Sequence, residues 1–445
     1  MNRLSVGGKY FNKNYSMRLL STCNSLQKDF KCKVLVVGGG TGGCSIAAKL
    51  TSKLGTNSVI IVEPNDSHYY QPMFTMIGGG MKTLRESNYA MKTVLPKGAT
   101  WLKGRVTLFD PINGIVQTEN GSKIDYDVLV LALGMELRYE KIPGLQEALD
   151  MPNSNVTSIY SPKYVERHYE VLQKFDKGNI IFTFPASPVK CPGAPQKICY
   201  ITEDYLRRKN KRQDAKIIYN TALPVIFGVK YFADALWKVV KKRDIEVNTS
   251  LNLIQVIPEK NIAVFQNVTK PEEKLSIEYS ILHAVPPQVP PKVLSECKDL
   301  TNDAGFVNVH KDYLQHIKFA NIFAIGDCSS SPNSKTMAAI ASQSNVVCHN
   351  IMTFLNGTSE QITYDGYASC PLVTGYDKCI MAEFDYDLKP KETFPFAQNV
   401  ERFSMFLMKR DVLPLLYWKL MLSGRWNGPE FMRKIFSIVK FNKQQ

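Results

Sequence analysis

No two of the ten cysteines stand in a CxxC pair, and none has a partner at zinc-ligand spacing. That argues against a zinc site and against the dense disulfide framework of a secreted domain, so no metal is expected and most of these thiols should be reduced and buried. No apolar run approaches the roughly 18 residues that a spanning helix needs, which excludes a chain crossing a bilayer on helices. No acid precedes Asp29, although Arg3, Lys9, Lys13, Arg18 and Lys28 do, among serines, asparagines and leucines. Such a basic, acid-free start has the composition of a mitochondrial transit peptide, and residues 1–30 are set aside from the fold on that account. Acids are scarce throughout, 40 against 55 Lys and Arg, for a net charge of +15. The surplus comes with no nucleic-acid motif and no basic helix carrying stacking aromatics, so nucleic acid is not the implied partner; an anionic membrane surface fits better.

What is present is concentrated near the start. The apolar run Val34–Val37 has the length of a buried parallel strand and leads directly into Gly38-x-Gly40-x-x-Gly43. Small and apolar residues at helical spacing follow to Lys53, then a second apolar run, Val59–Val62, ends on Glu63, twenty residues past Gly43. This is a complete βαβ unit for a dinucleotide. Gly38 makes the tight turn, Gly40 lets backbone approach a pyrophosphate, Gly43 lets helix pack on strand, and Glu63 is placed to accept bonds from an adenosine ribose.

Beyond it, the loop with His68, Tyr69, Tyr70 and Gln71 should run beside the cofactor. Trp101–Leu108 has the composition of one strand, whose Val106 would pass the adenine in a flavin fold. A hairpin-like pair around Asn120-Gly121 leads to DVLVLALG, ending at Gly134. Polar residues near Met151–Asn155 mark a boundary. Ser161-Pro162 has the form of an N-cap and first-turn proline for a helix to about Phe175. Asn179–Phe184, Lys216–Thr221 and Leu251–Ile257 are then strands of a second α/β domain. Its glycine loop is missing, because Asn179–Phe184 runs into PASPVKCPGAPQK, so a second nucleotide site is expected to be dead. HAVPPQVPP, residues 283–291, is a stiff return to the first domain. There ANIFAIGDC stops a strand at Asp327, positioned for flavin ribityl hydroxyls, with Lys335 and a small-residue helix from Ala338 to Ser344 after it.

Two cysteines share a local design. Cys191 and Cys370 each precede a proline, which biases each toward extended backbone. Lys190 and Lys197 flank Cys191 and would lower its pKa. The tail holds two apolar segments, residues 405–422 and 431–439, ringed by Lys409, Arg410, Lys419, Arg425, Arg433, Lys434, Lys440 and Lys443. Pro414 and Ser423-Gly424 should divide it into short helices, with Gly428-Pro429 opening the last. The pattern suits monotopic helices in a membrane interface, with Tyr417, Trp418 and Trp426 at headgroup level.

The stretches VVGGGTGG, VEPNDSHYYQP, IFTFPASPVKCPGAPQK, FAIGDCSSSPNSKT, YASCPLVTGY and MFLMKRDVLPLLYW resemble those of mitochondrial sulfide:quinone oxidoreductases, over about residues 31–440. The resemblance implies two Rossmann-like domains, the second without a working nucleotide loop, plus C-terminal membrane-binding helices. Residues 31–150 and 300–365 would bind FAD, 151–299 form the second domain, and 366–445 carry a redox cysteine and the tail. It implies a redox pair in Cys191 and Cys370 and FAD contacts at Thr41, Gly42, Glu63, Gln71, Val106 and Lys335. Sulfide would be oxidised to a persulfide on Cys370 while Cys191 contacts the flavin. Electrons would pass through FAD to ubiquinone, and the sulfur to glutathione or sulfite, on the mitochondrial inner membrane. Bacterial relatives often use a third active-site cysteine, and none stands in an equivalent setting here. A type II NADH:quinone oxidoreductase and a flavin-bearing membrane scaffold stay open as alternatives; the first needs a nicotinamide loop that residues 185–197 do not supply.

Overall fold

The computed structural model describes residues 29–442, so the basic segment taken as a transit peptide lies outside the described residues up to Lys28, as does Lys443. Val34–Val37 is buried on both faces, as an unbroken apolar run demands, and its strand, Asp29–Val37, becomes the centre of a seven-stranded sheet. Val59–Val62 pairs parallel on one side and Lys123–Leu131 on the other, with Thr100–Leu102 and Ile322–Ala324 beyond them. The four central strands stop in register: Val37 faces Val62 and Leu131, and Leu131 faces Ala324. Their following loops therefore emerge together at one edge, where an open α/β sheet binds its ligand.

Trp101–Leu108 is two strands. Thr100–Leu102 ends the parallel sheet, while Val106–Asp110 belongs to an antiparallel hairpin with Ile115–Thr118 at the opposite side. The last bond of the parallel pairing is from the Gly104 N–H to the Glu63 carbonyl, and the break follows it. A second, all-parallel sheet runs Val156–Thr157, Ile281–His283, Gly178–Phe184, Ala215–Thr221, Glu246–Asn248. Leu251–Ile257 is not part of it. It pairs antiparallel with Ile262–Asn267, which pairs in turn with Lys274–Glu278. The helix expected from Ser161 is regular only over Arg167–Gln173; the residues before it form turns closed on the Ser161 carbonyl.

The hairpin Ala368–Gly375/Lys378–Phe384 lies against the helix Ala194–Arg208, fixed by the Tyr376 N–H donating to the Asp204 carboxylate at 2.8 Å. Pro414 does not divide the tail. Phe403–Met421 is continuous, with wide π turns at Met408–Val412 and Tyr417–Met421 around an α turn, Leu413–Leu416. A proline collides with the carbonyl four residues back, here Arg410, and the widened turn carrying that carbonyl relieves the collision. Gly424 and Gly428, at φ +75° and +93°, then turn the chain into the helix Glu430–Asn442. Among the described residues no helix is long and apolar enough to cross a membrane.

Candidate functional site

The loops at the strand ends enclose a cavity of about 480 Å³. Gly38, Gly40, Thr41, Gly42, Glu63, Gln71, Asp327 and Lys335 line it, and so do Cys191 and Cys370. Gly43 stands behind the loop, where a Cβ would lie 1.7 Å from the Gly38 carbonyl oxygen. Val106 is outside this lining; it is buried on its hairpin strand opposite Thr118, two residues past Gly104.

At the glycine-loop end, Glu63 is buried and accepts from the Gly39 N–H at 2.7 Å and from Asn65 N–H and Nδ2 at 2.8 and 2.6 Å. The carboxylate thereby ties the second strand to the glycine loop. The residues fit a flavin dinucleotide. A Cβ on Gly40 would meet nothing within 4 Å, so the cavity reaches that backbone. The Tyr70 hydroxyl and the Thr75 Oγ1, on two further lining residues, are buried without a partner among the described residues. Farther in, Asp327, Lys190 and Lys335 are half-buried charges grouped on the cavity wall. Burial raises the carboxyl pKa of Asp327 against the pull of Lys335 and Lys190, and lowers both lysines against the pull of Asp327.

His68 and Tyr417 support the glycine loop from below. The His68 Nδ1–H donates to the Gly39 carbonyl at 3.0 Å, which leaves Nε2 to accept from the Tyr417 hydroxyl at 2.6 Å. The Tyr417 oxygen is also 2.9 Å from Thr41 Oγ1. Burial lowers the His68 pKa to about 4, in keeping with this neutral tautomer. Tyr417 is thus fully buried against the loop rather than at a headgroup level, and Met405, Phe406, Met421 and Leu422 are buried as well. Trp418 packs edge-on against Tyr89, with ring centroids 4.3 Å apart.

The sulfur end occupies the place where a second nucleotide loop would stand. After the strand Gly178–Phe184 the chain turns at Cys191 into the helix Ala194–Arg208. Cys191 is not extended, as its proline suggested, but left-handed at φ +51°. Its N–H donates to the Lys335 carbonyl at 2.7 Å and its carbonyl accepts from the Ala194 N–H at 2.9 Å. These two bonds pin a conformation that costs a non-glycine residue about 1–3 kcal/mol, the kind of strain that collects at functional sites. Cys370, on its hairpin strand, is extended, and the hairpin brings its sulfur so close that a Cβ on Gly193 would lie 2.6 Å from it. Both thiols are free. The Cys370 thiol bonded to Cys191, then the Lys197 charge, pull the Cys191 pKa well down. The same bond and burial push Cys370 well up, a direction that favours Cys191 as the anionic partner. Lys197 Nζ is 3.3 Å from the Cys191 sulfur and is itself buried.

Lys190 acts on Asp327 first and on Cys191 second. A further cation is Lys409, 2 % exposed and lining the cavity from the C-terminal helix. The sequence holds a signal for it: Met405, Lys409, Leu413, Tyr417 and Met421 form one stripe at four-residue spacing, with a single charge at an otherwise inward position. Burial lifts the other thiols, Cys328 to about 11 and Cys379 to about 12, which keeps them protonated.

Residues 32–174 match the family model described as pyridine nucleotide-disulphide oxidoreductase. The mitochondrial sulfide:quinone oxidoreductase of Mus musculus is 47% identical over 406 residues, covering 91% of this chain and 90% of that protein. Among solved structures, the sulfide:quinone oxidoreductase of Aquifex aeolicus superposes with TM-score 0.76 at 18% identity, over 93% of this chain and 96% of that one. A chain of the Tetrahymena thermophila mitochondrial ATP synthase superposes with TM-score 0.79 at 22% identity, over 90% of this chain and 98% of that one. These two structural likenesses carry the fold alone.

Proposed function

The chain belongs to the mitochondrial sulfide:quinone oxidoreductase family, and from that premise we propose that it oxidises sulfide at Cys191 and Cys370 and delivers the electrons, through FAD, to ubiquinone. The observation that carries the proposal is the meeting of two distant cysteines, driven in opposite directions in pKa, inside the cavity that the glycine loop opens. In the oxidised pair, hydrosulfide attacks the Cys370 sulfur. A new S–S bond forms there, the Cys191–Cys370 bond breaks, and its electron pair leaves on Cys191 as a thiolate. Lys197 neutralises that thiolate, and the turn bonded to Lys335 and Ala194 holds it in place. The Cys370 persulfide then yields its outer sulfur to a small thiol or sulfite acceptor. When bound, FAD would supply the two-electron carrier between this centre and the quinone, and Glu63, Thr41 and the Gly38–Gly43 loop would hold it at one end and Asp327 and Lys335 at the other. The cysteine turn fills the position of a nicotinamide loop, which disfavours a type II NADH:quinone oxidoreductase.

The tail would hold the enzyme on the mitochondrial inner membrane from one side. Its outward apolar residues support this: Leu415 is 63 % exposed and Phe431 72 %, with Phe403, Val412, Leu420 and Ile435 also exposed. Basic residues around them would each add on the order of 1 kcal/mol near anionic lipid. Because Lys409 and Tyr417 reach inward from the same helix, the clean test alters the outward face alone. With ubiquinone dissolved in phosphatidylcholine–phosphatidylglycerol vesicles, the wild-type protein should consume sulfide with quinol formation. A Leu415→Asp/Phe431→Asp variant should leave the vesicles in flotation, keep flavin reduction by sulfide, and reduce the vesicle quinone poorly. Retention on the vesicles with undiminished quinol formation would contradict the membrane assignment; absence of quinol with the wild type would contradict the function.

A further inference from the structure

Lys409 is the one inward-facing charge of the C-terminal helix stripe, and its surroundings are unusual for an ammonium. Of three N–H donors, one meets the Pro72 carbonyl at 2.9 Å, and no other protein acceptor is found for it among the described residues. The Tyr70 ring lies beside it, with its centroid 5.9 Å from Nζ. The charged or titratable groups that act on it come from three further elements: Lys197 and Cys191 around the helix Ala194–Arg208, and Cys370 and Cys379 on the two hairpin strands. A buried ammonium with two idle donors, on the wall of a cavity that also exposes two sulfurs, is paired with no carboxylate among the described residues.

We propose that Lys409 is a positioning residue of the sulfur centre, forming with Lys197 a paired cationic seat for the two negative charges that sulfide attack creates. The proposal rests on the reading of Cys191 and Cys370 as the redox pair. Before attack the pair is a neutral disulfide facing two ammonium groups, an arrangement that draws in an anion, hydrosulfide. Attack forms one S–S bond, breaks one, and leaves the electron pair on Cys191; the persulfide on Cys370 loses its proton to solvent or to a neighbouring base. Two anionic sulfurs then face two cations, and the charges match. Lys197 sits at Cys191. Lys409 covers the side from which the tail closes the cavity, so the segment that meets the membrane also completes the site of sulfide attack. Burial and the Lys197 charge lower the Lys409 pKa to about 8, so the seat would weaken as pH rises through that value.

The test compares flavin-loaded wild type, Lys409→Met and Lys409→Arg, with two readouts. The first is the pH dependence of Cys191 alkylation by iodoacetamide in the dithiol-reduced protein, followed on the Cys191 peptide by mass spectrometry. Removing a nearby opposite charge should raise the alkylation midpoint by about one pH unit or more in Lys409→Met, with Lys409→Arg close to wild type. The second is the rate of flavin reduction by sulfide without quinone. This should fall roughly tenfold or more in Lys409→Met; the wild-type rate should decline above about pH 8, and Lys409→Arg, whose charge persists, should show no such decline. If Lys409→Met does not retain flavin, Lys409→Gln carries the same comparison. An alkylation midpoint in the neutral variant equal to wild type overturns the proposal. A Cys191→Ser control separates this from the underlying reading: turnover by that variant would sink the redox pair itself, whereas an inactive Cys191→Ser beside an unchanged Lys409→Met sinks only the seat.

Discussion

Cys191→Ser is expected to keep its flavin and lose sulfide-dependent flavin reduction by at least roughly a thousandfold, as removal of one half of the disulfide under attack does. Serine cannot form the S–S bond on which the exchange depends, nor leave as a stabilised thiolate beside Lys197. The bonds that shape the Cys191 turn, to the Lys335 carbonyl and from the Ala194 N–H, are made by backbone and survive the substitution. Cys370→Ser should behave alike, since a single thiol gives no oxidised pair for hydrosulfide to attack. Flavin absorbance provides the control for folding, and stopped-flow reduction by sulfide the readout. Reduction at wild-type rate in either variant would remove that residue from the pair.

The second large effect is expected at Gly43. A methyl there would lie 1.7 Å from the oxygen and 2.9 Å from the carbon of Gly38, both backbone atoms. Gly38 has no room to retreat: it holds φ +103°, and a Cβ on it would itself meet the Ala132 carbonyl at 2.5 Å. Gly43→Ala must therefore open the loop or move the helix, costing about 3 kcal/mol or more by overpacking, with loss of both thermal stability and flavin. Gly40→Ala makes the useful contrast, because its methyl meets no protein atom and would intrude only on the cofactor. It should melt close to wild type while binding flavin weakly. A flavin dissociation constant for Gly43→Ala within about twofold of wild type would contradict this account of the loop.

The glycine loop was legible because its chemistry is local: a strand, three glycines and an acid at fixed spacing leave few alternatives; that the Glu63 carboxylate is tied to the Gly39 N–H was not legible there. What escaped depended on long-range packing. The proline after Cys191 argued for extended backbone, yet two bonds from outside the dipeptide hold it left-handed. Tyr417 and Lys409 sit in a stretch whose apolar and basic composition suits a membrane surface, and composition does not say which face of a helix turns inward. Four-residue spacing does, and it groups both with Met405 and Met421, which are buried. The π turns that carry the helix past Pro414 have no sequence signature of their own. Leu251–Ile257 had the composition of a parallel-sheet strand, and only its pairing with Ile262–Asn267 assigns it elsewhere.

The central claim is that electrons enter this flavin site from sulfide through a cysteine centre standing where a nicotinamide loop would be. Anaerobic titration of the flavin-loaded protein with sulfide, and separately with NADH, tests it most directly by following the flavin absorbance. The account predicts bleaching by sulfide at near-stoichiometric amounts and none by NADH at the same concentrations. Bleaching by NADH with no response to sulfide would contradict it.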